Sequence, residues 1–347
     1  MQLDHMTVER EALRLLPGLV EDLFDHQGGP LHVRQADQIP DQGFDLFGMG
    51  YGRDWLFEVK ASSSPGLVSR AAASLERQPA DALHVLVVPF MTPAGEKAAE
   101  RLGLNWIDLS GNAHIRADQL YIYVAGRPNM FVNRGRPSSP FAPKSARITR
   151  VMLLDPERWW RRKDLAESTN LDSGHVSRVV KRLIDEGLLE QEDHRIRPRS
   201  REVLLDAWED EYRFDRHQIL RGHMSGAGIE LARDLEERLA GLNCRYAFTG
   251  LASAWAYRGF ARFRLNSVFV EGDPHEVADE VGLRINDRGA NVQLIVPEDA
   301  GVFIGVRVVE ELTCVSAVQT YLDLKHLPER AAEAAEDLRN GGLWDGA

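Results

Sequence analysis

Cysteine is almost absent: Cys244 and Cys314 are the only two in 347 residues. They stand far apart and without metal-ligand spacing, so neither a disulfide framework nor a structural zinc site is expected. No run of about 18 apolar residues occurs, which argues against a membrane-spanning helix. The opening MQLDHMTVEREALRLL carries charges where a secretory signal needs an apolar stretch, so the expected location is the cytoplasm. Acid is missing from one long segment. Between Asp118 and Asp155 there is no Asp or Glu, while Arg127, Arg134, Arg136, Lys144, Arg147 and Arg150 fall there. The whole chain carries −11, yet residues 144–200 hold thirteen Lys/Arg against ten Asp/Glu, leaving about −14 for the remainder. A basic centre in an acidic chain is either a directed nucleic-acid face or a solvated linker.

What is present falls into blocks. Residues 1–126 alternate helical and strand patterns: an amphipathic stretch from Met6 to Phe24, strands at LHVRQ, FDLFG and DWLFEVK, a helix opened by Pro65, the apolar run ALHVLVVPF, a helix between Thr92 and Gly103, then NWIDLS and LYIYVAG. This mixture predicts a layered α/β or α+β domain. Residues 127–143, rich in Pro, Gly, Ser and Arg, form a linker. Residues 144–200 are mostly helical. Residues 201–347 mix helices with strands at RYAFTG, NSVFVEG, NVQLIVP and GVFIGV, and end in a helix. The fold class is therefore multidomain α/β and α+β.

The 144–200 block has the pattern of a winged helix-turn-helix. KDLAEST is a short helix and TNLDSG a turn. SGHVSRVVKRLIDEG is a second helix with Val176, Val179, Val180, Leu183 and Ile184 on one stripe, and Gly187 ends it. LLEQEDHRIRPRS supplies a hairpin wing. The second helix of such a motif lies in the DNA major groove, its N-terminal residues on base edges. Ser173, His175, Ser177 and Arg178 occupy those positions, and Arg178 has the fork for guanine. Lys181, Arg182, Arg195 and Arg197 are expected on phosphates. The competing interpretation is a helical interaction module with a solvated basic face.

A second constellation lies in the first block. Glu58 and Lys60 alternate on one strand and so share a face, and a hairpin would bring Asp45 beside them. Two carboxylates suit a hard cation such as Mg²⁺, and the lysine suits a phosphate transition state. Glu9 is a further candidate carboxylate. Over residues 6–125, Asp45, Glu58 and Lys60 with their element order resemble the PD-(D/E)XK nuclease superfamily, with Phe44 in place of the proline. The resemblance implies a restriction-endonuclease-like domain, catalytic Asp45, Glu58 and Lys60, and metal ligands Asp45 and Glu58. The alternative is a surface salt-bridge cluster. The run holding Asp108, Ser110, Gly111 and Asn112 is expected to be a polar turn.

In the last block, Thr249, Gly250 and Ser253 open a helix that resembles the nucleotidyltransferase pattern. Asn266 and Val268 stand where that pattern has paired aspartates, and Glu271 alone follows. Without adjacent carboxylates no two-metal site is expected, so the resemblance implies a degenerate nucleotidyltransferase-like α+β domain, the alternative being an unrelated α+β fold. Across roughly 140–340, the winged-helix segment, FTGLASAW, VSAVQTYLDL and RAAEAAEDLR together resemble the AbiEi-type antitoxin and transcriptional-regulator family of type IV toxin–antitoxin systems. The nuclease-like block is an addition to its short form. This resemblance implies promoter binding to double-stranded DNA, repression, and a nucleotidyltransferase toxin as partner. Winged helices of this kind often bind as homodimers. Three functions follow: a DNA-binding regulator, a Mg²⁺-dependent nuclease targeted by the winged helix, and a protein-binding scaffold.

Overall fold

The structure, a computed structural model, describes residues 5–23, 31–36, 44–117, 120–131, 139–259 and 262–344. Arg134 and Arg136, two of the cations read from the acid-free stretch, lie outside them. The chain divides into two compact units. The first is Met1–Ser138 with Lys181–Glu190 and Glu202–Asp210; the second is Ser139–Val180 with Gln191–Arg201 and Glu211–Ala347.

Val8, Ala12, Leu16 and Val20 recur every fourth residue and are fully buried, which fixes helix α1 (His5–Leu23) on the first unit's core. Its sheet runs in sequence order through β1 (His32–Gln35), β2 (Leu46–Gly50), β3 (Arg53–Val59), β4 (Leu83–Val88), β5 (Asn105–Asp108), β6 (Ala113–Ala117) and β7 (Leu120–Val124). Strands β3, β4 and β5 are parallel, and the remaining pairs are antiparallel. Helices α2 (Pro65–Leu75) and α3 (Pro93–Arg101) make the crossovers. Thr92 caps α3 by accepting from the Gly95 amide at 3.2 Å. Trp55, Phe57 and Val59 pack toward α1; Leu86, Val88 and Trp106 pack with Val68 and Ala99 of the two crossover helices. The result is helix, sheet, helix in three layers; the mixture of helices and strands is what the alternating patterns predict, and the layering comes from the packing.

The middle of the chain gives α4 (Ala146–Leu154), β8 (Trp160–Arg161), α5 (Arg162–Thr169), α6 (Ser173–Asp185), β9 (Leu189–Glu192), β10 (Arg195–Pro198) and α7 (Arg201–Glu211). The three short strands form a sheet in the order β8-β10-β9. Gly187 ends α6 with φ +72°, a region open to glycine.

The second sheet is mixed, in the order β14-β11-β15-β13-β12-β17-β16. Its strands are β11 (Gln218–His223), β12 (Tyr246–Thr249), β13 (Asn266–Val270), β14 (Arg284–Ile285), β15 (Val292–Val296), β16 (Arg307–Val309) and β17 (Leu312–Cys314). Between and after them come α8 (Gly228–Ala240), α9 (Gly250–Arg258), α10 (Pro274–Val281), α11 (Ala317–Leu324) and α12 (Ala331–Gly341). GVFIGV, expected as a strand, is instead a 3-10 turn at Ala300–Phe303. Asp299 accepts from the Gly301 amide at 2.7 Å and sets the turn, and Val302 and Phe303 are buried in it. No helix among the described residues is long and apolar enough to cross a membrane.

Candidate functional site

Asp172 begins helix α6. Its carboxylate accepts from the His175 amide at 2.8 Å, and that bond holds the carboxyl below the usual carboxylate range. Val176, Val180 and Leu183 are fully buried and Val179 nearly so, while Ile184 is half-buried. Ser173, Ser177, Arg178 and Lys181 are exposed on the opposite face. Arg178 and Lys181, one helical turn apart, form no hydrogen bond or ion pair with the described residues. The same holds for exposed Arg195 on β10.

Three of the residues expected to meet DNA are engaged elsewhere. His175 is half-buried, with Nε2 3.0 Å from the Ser145 hydroxyl at the start of α4. Arg182 is half-buried and bonds Glu186, just past the end of α6, at 2.8 Å. Arg197 lies 4.6 Å over the Trp159 ring and 3.9 Å from Glu157. Sequence reasoning missed Arg161. It stands directly opposite Arg195 in the antiparallel β8–β10 register, and both are exposed. Like charges placed face to face across a ladder are destabilising unless an anion lies between them. The signal was the WWRRK run just ahead of α5. Replacing Arg161 and Arg195 together with threonine is expected to raise stability by about 0.5 kcal/mol and, if the pair grips phosphates, to flatten the salt dependence of DNA binding by about two ions. Lower stability with an unaltered salt slope would assign the pair a purely structural role.

Within the first unit, the C-terminal end of α6 meets the start of α2. Ser64 Oγ donates to the Glu186 carbonyl at 3.0 Å. A Cβ on Gly66 would fall 2.6 Å from the Glu186 oxygen and 2.8 Å from the Gly187 carbonyl carbon. Those obstacles are backbone and cannot swing aside. Gly66→Ala is therefore expected to cost about 1–3 kcal/mol, read as an earlier denaturant midpoint. A midpoint like the wild type's would mean that the two segments part without loss.

The second constellation lies where β3 ends. Leu46 pairs with Phe57, so Asp45 stands opposite Glu58 in the same register. The Val59 amide donates to Asp45 Oδ2 at 2.6 Å. Lys60 Nζ bonds the Glu58 carboxylate and lies 3.1 Å from the Val59 carbonyl. Glu58 is 7% exposed. The three residues are thus brought together at the carboxyl end of a parallel strand, where α/β sheets hold their ligands. Glu9 does not complete a larger set: Gln35 reaches it at 3.5 Å, and among the described residues no three His, Cys, Asp or Glu gather in a metal-holding group. The Asp108 run is a closed turn. Its carboxylate takes the amides of Ser110 and Asn112, the Asn112 side chain and the Met91 amide, all within 3.0 Å.

In the second unit, Gly250 opens α9 at φ +61° directly after β12. Asn266 and Val268 are both fully buried in β13, whereas Glu271 is exposed beyond the strand's end. Below them runs a polar network that sequence reasoning did not find. Thr249 Oγ1 and Tyr212 each donate to the buried Asp323 carboxylate at 2.5 Å, and Gln319 Nε2 donates to it at 2.8 Å. Gln319 Oε1 accepts from Arg150 of α4 at 2.5 Å. The Glu298 amide donates to His217 Nδ1 at 3.0 Å, which leaves Nε2–H for the Tyr212 oxygen at 3.0 Å. Burial pushes the Asp323 carboxyl up to about 6, and burial with the Arg150 charge pushes His217 down to about 4. Arg147, also of α4, holds Asp299 through two bonds of 2.7 and 2.8 Å and donates to the Thr169 carbonyl at 3.2 Å.

Comparison with protein-family models, curated proteins and solved structures returned no match.

Proposed function

We propose that this protein is a DNA-binding transcriptional regulator of the AbiEi antitoxin type, with residues 144–200 as a winged helix and α6 as its major-groove helix. The observation that carries the reading is the two-faced helix. Its aliphatic stripe is buried, while Ser173, Ser177, Arg178 and Lys181 stay exposed, and neither cation forms a hydrogen bond or salt bridge with a described residue, though Arg178 lies near enough to Asp172 to favour its carboxylate. A buried aliphatic back and an exposed cationic front match a helix that enters a groove. The facing arginines at 161 and 195 support the same reading, because a phosphate between them relieves their repulsion. The resemblance adds a nucleotidyltransferase toxin as a protein partner, with the second sheet and α9 as a degenerate nucleotidyltransferase-like domain. The direct test is selection of duplexes from random sequence by the full chain in the presence of a chelator. Recovery of a consensus supports the regulator. Retention with no sequence preference opposes it.

A second reading is favoured by one observation, the register that sets Asp45 opposite Glu58 with Lys60 bonded to it. Here the first unit is a PD-(D/E)XK-like nuclease directed by the winged helix. Asp45 and Glu58 offer hard oxygen donors in the number that Mg²⁺ needs when it keeps its waters, so the residues fit the ion. Mg²⁺ would supply Lewis acidity and charge neutralisation at the scissile phosphate. Lys60 would donate to the phosphoryl oxygens, held in place by Glu58. A nicking assay with Mg²⁺ is expected to show strand loss that Lys60→Ala reduces by about a hundredfold or more. Equal background from both proteins removes the enzyme.

A further inference from the structure

A cleft of about 300 Å³ opens on the second unit, between the sheet and the segment after α11. Phe214, Ile219 and Leu265 give it apolar walls, and Arg221, Gln293 and His326 give it polar ones. The Phe214 and His326 rings are parallel within 6°, with centroids 6.4 Å apart. Arg221 projects from β11, and among the described residues nothing bonds or pairs with its guanidinium. Asp215 also lines the cleft, but Arg213 claims its carboxylate at 2.7 and 3.1 Å. The unpaired charge of the cleft is therefore positive. Gln293 is 2% exposed, and its amide nitrogen donates to Ser267 Oγ at 2.7 Å. Its carbonyl oxygen remains as an acceptor. Apolar walls with a few fixed polar groups are the make-up of a small-molecule site, and this volume suits one or two rings.

The cleft also borders the polar network. The Phe214 ring stands edge-on to His217 at 5.5 Å, and His326 lies 5.7 Å from the Tyr212 ring. From Tyr212 the hydrogen bonds run through Gln319 to Arg150 of α4, and Ser145, just before α4, holds His175 of the groove helix. Ring contacts at the cleft wall are thus joined by hydrogen bonds to α4, and the residue just before α4 holds His175.

We propose that this cleft binds a small aromatic acid bearing an N–H or O–H donor, and that its occupancy changes DNA affinity. The acid group meets Arg221, the donor meets the Gln293 oxygen, and the ring fills the space beside Phe214. The effector half rests on the DNA-binding reading; the ligand half does not.

The test uses indole-3-acetate, its uncharged amide, and 1-naphthaleneacetate, which lacks the N–H. Isothermal titration of the full chain is expected to detect indole-3-acetate, with binding weaker by about tenfold for the amide and for Arg221→Gln. The naphthalene acid should bind several-fold more weakly than the indole. Arg221→Gln should unfold at the wild-type midpoint, since the side chain makes no bond to lose. Saturating indole-3-acetate should then shift affinity for a selected duplex at least threefold in the wild type and not in Arg221→Gln. No binding of indole-3-acetate up to about 1 mM, or equal binding of acid and amide, overturns the site. Binding with unaltered DNA affinity overturns the effector role alone. A wild-type chain that binds no duplex sinks the regulator reading and the effector role with it, while the titration still decides the site.

Discussion

Replacing Arg178 and Lys181 together with alanine is expected to weaken specific DNA binding by about two to three orders of magnitude at physiological salt. Both side chains are exposed on one face of α6. An arginine bidentate to guanine contributes about 1–3 kcal/mol of discrimination, and a lysine on phosphate adds a counterion-release increment. The loss should divide accordingly. Arg178→Ala alone relaxes the preferred sequence, whereas Lys181→Ala weakens all sequences evenly and lowers the salt slope by about one. Arg182→Ala serves as the internal control. Its guanidinium is 2.8 Å from Glu186 and half-buried, so its removal should leave base preference unchanged. Arg178 and Lys181 are exposed, so circular dichroism should be the same in the wild type and in the variants at those two positions. If the double variant retains a selected duplex with wild-type affinity, α6 is not the DNA-reading element. Position in the helix alone would have ranked Arg182 with the other two; its bond to Glu186 separates them.

That separation shows where the sequence was legible and where it stopped. Val176, Val179, Val180 and Leu183 announced the buried side of α6, because helical spacing translates directly into a face. The same rule gave α1 from Val8, Ala12, Leu16 and Val20, and strand alternation placed Glu58 with Lys60. Pairing was harder. That Asp45 would stand opposite Glu58 depended on a hairpin register the sequence only suggested. His175 looked like a reading residue from its helix position, yet its ring is drawn to Ser145, thirty residues away. GVFIGV has the apolar run of a strand, but Asp299 ahead of it offers a cap that favours a turn. The polar network was invisible altogether. Tyr212, His217, Asp323 and Arg150 lie as much as 173 residues apart, and no local pattern marks a polar residue as buried. Long-range closure, not propensity, gives them their role.

The same network yields a pH signature with opposed parts. Asp323 normally titrates at 3.8 and in the fold at about 6, because burial disfavours the charged carboxylate. A raised carboxyl contributes stability that is present below 3.8 and lost as pH rises through 6, about 3 kcal/mol over that window. His217 moves the other way, from 6.5 to about 4, because burial and the Arg150 charge disfavour its cation. Its contribution is present above 6.5 and lost as pH falls through 4. Since the ring is half-buried, solvent screening leaves it about 2 kcal/mol. In the wild type the two largely offset each other between pH 4 and 6.5. His217→Gln should unmask Asp323, and the variant should gain relative stability on acidification across that window. Asp323→Asn should unmask His217 and lose stability over the same range. Asp323→Ala is expected to be far more damaging, about 3–5 kcal/mol at pH 7.5. It strips the acceptor from Thr249, Tyr212 and Gln319 and removes the carboxylate that balances buried Arg150. Denaturant unfolding at intervals from pH 4 to 8 reads all three. Variant profiles parallel to the wild type would mean that neither group titrates in the fold as its burial demands.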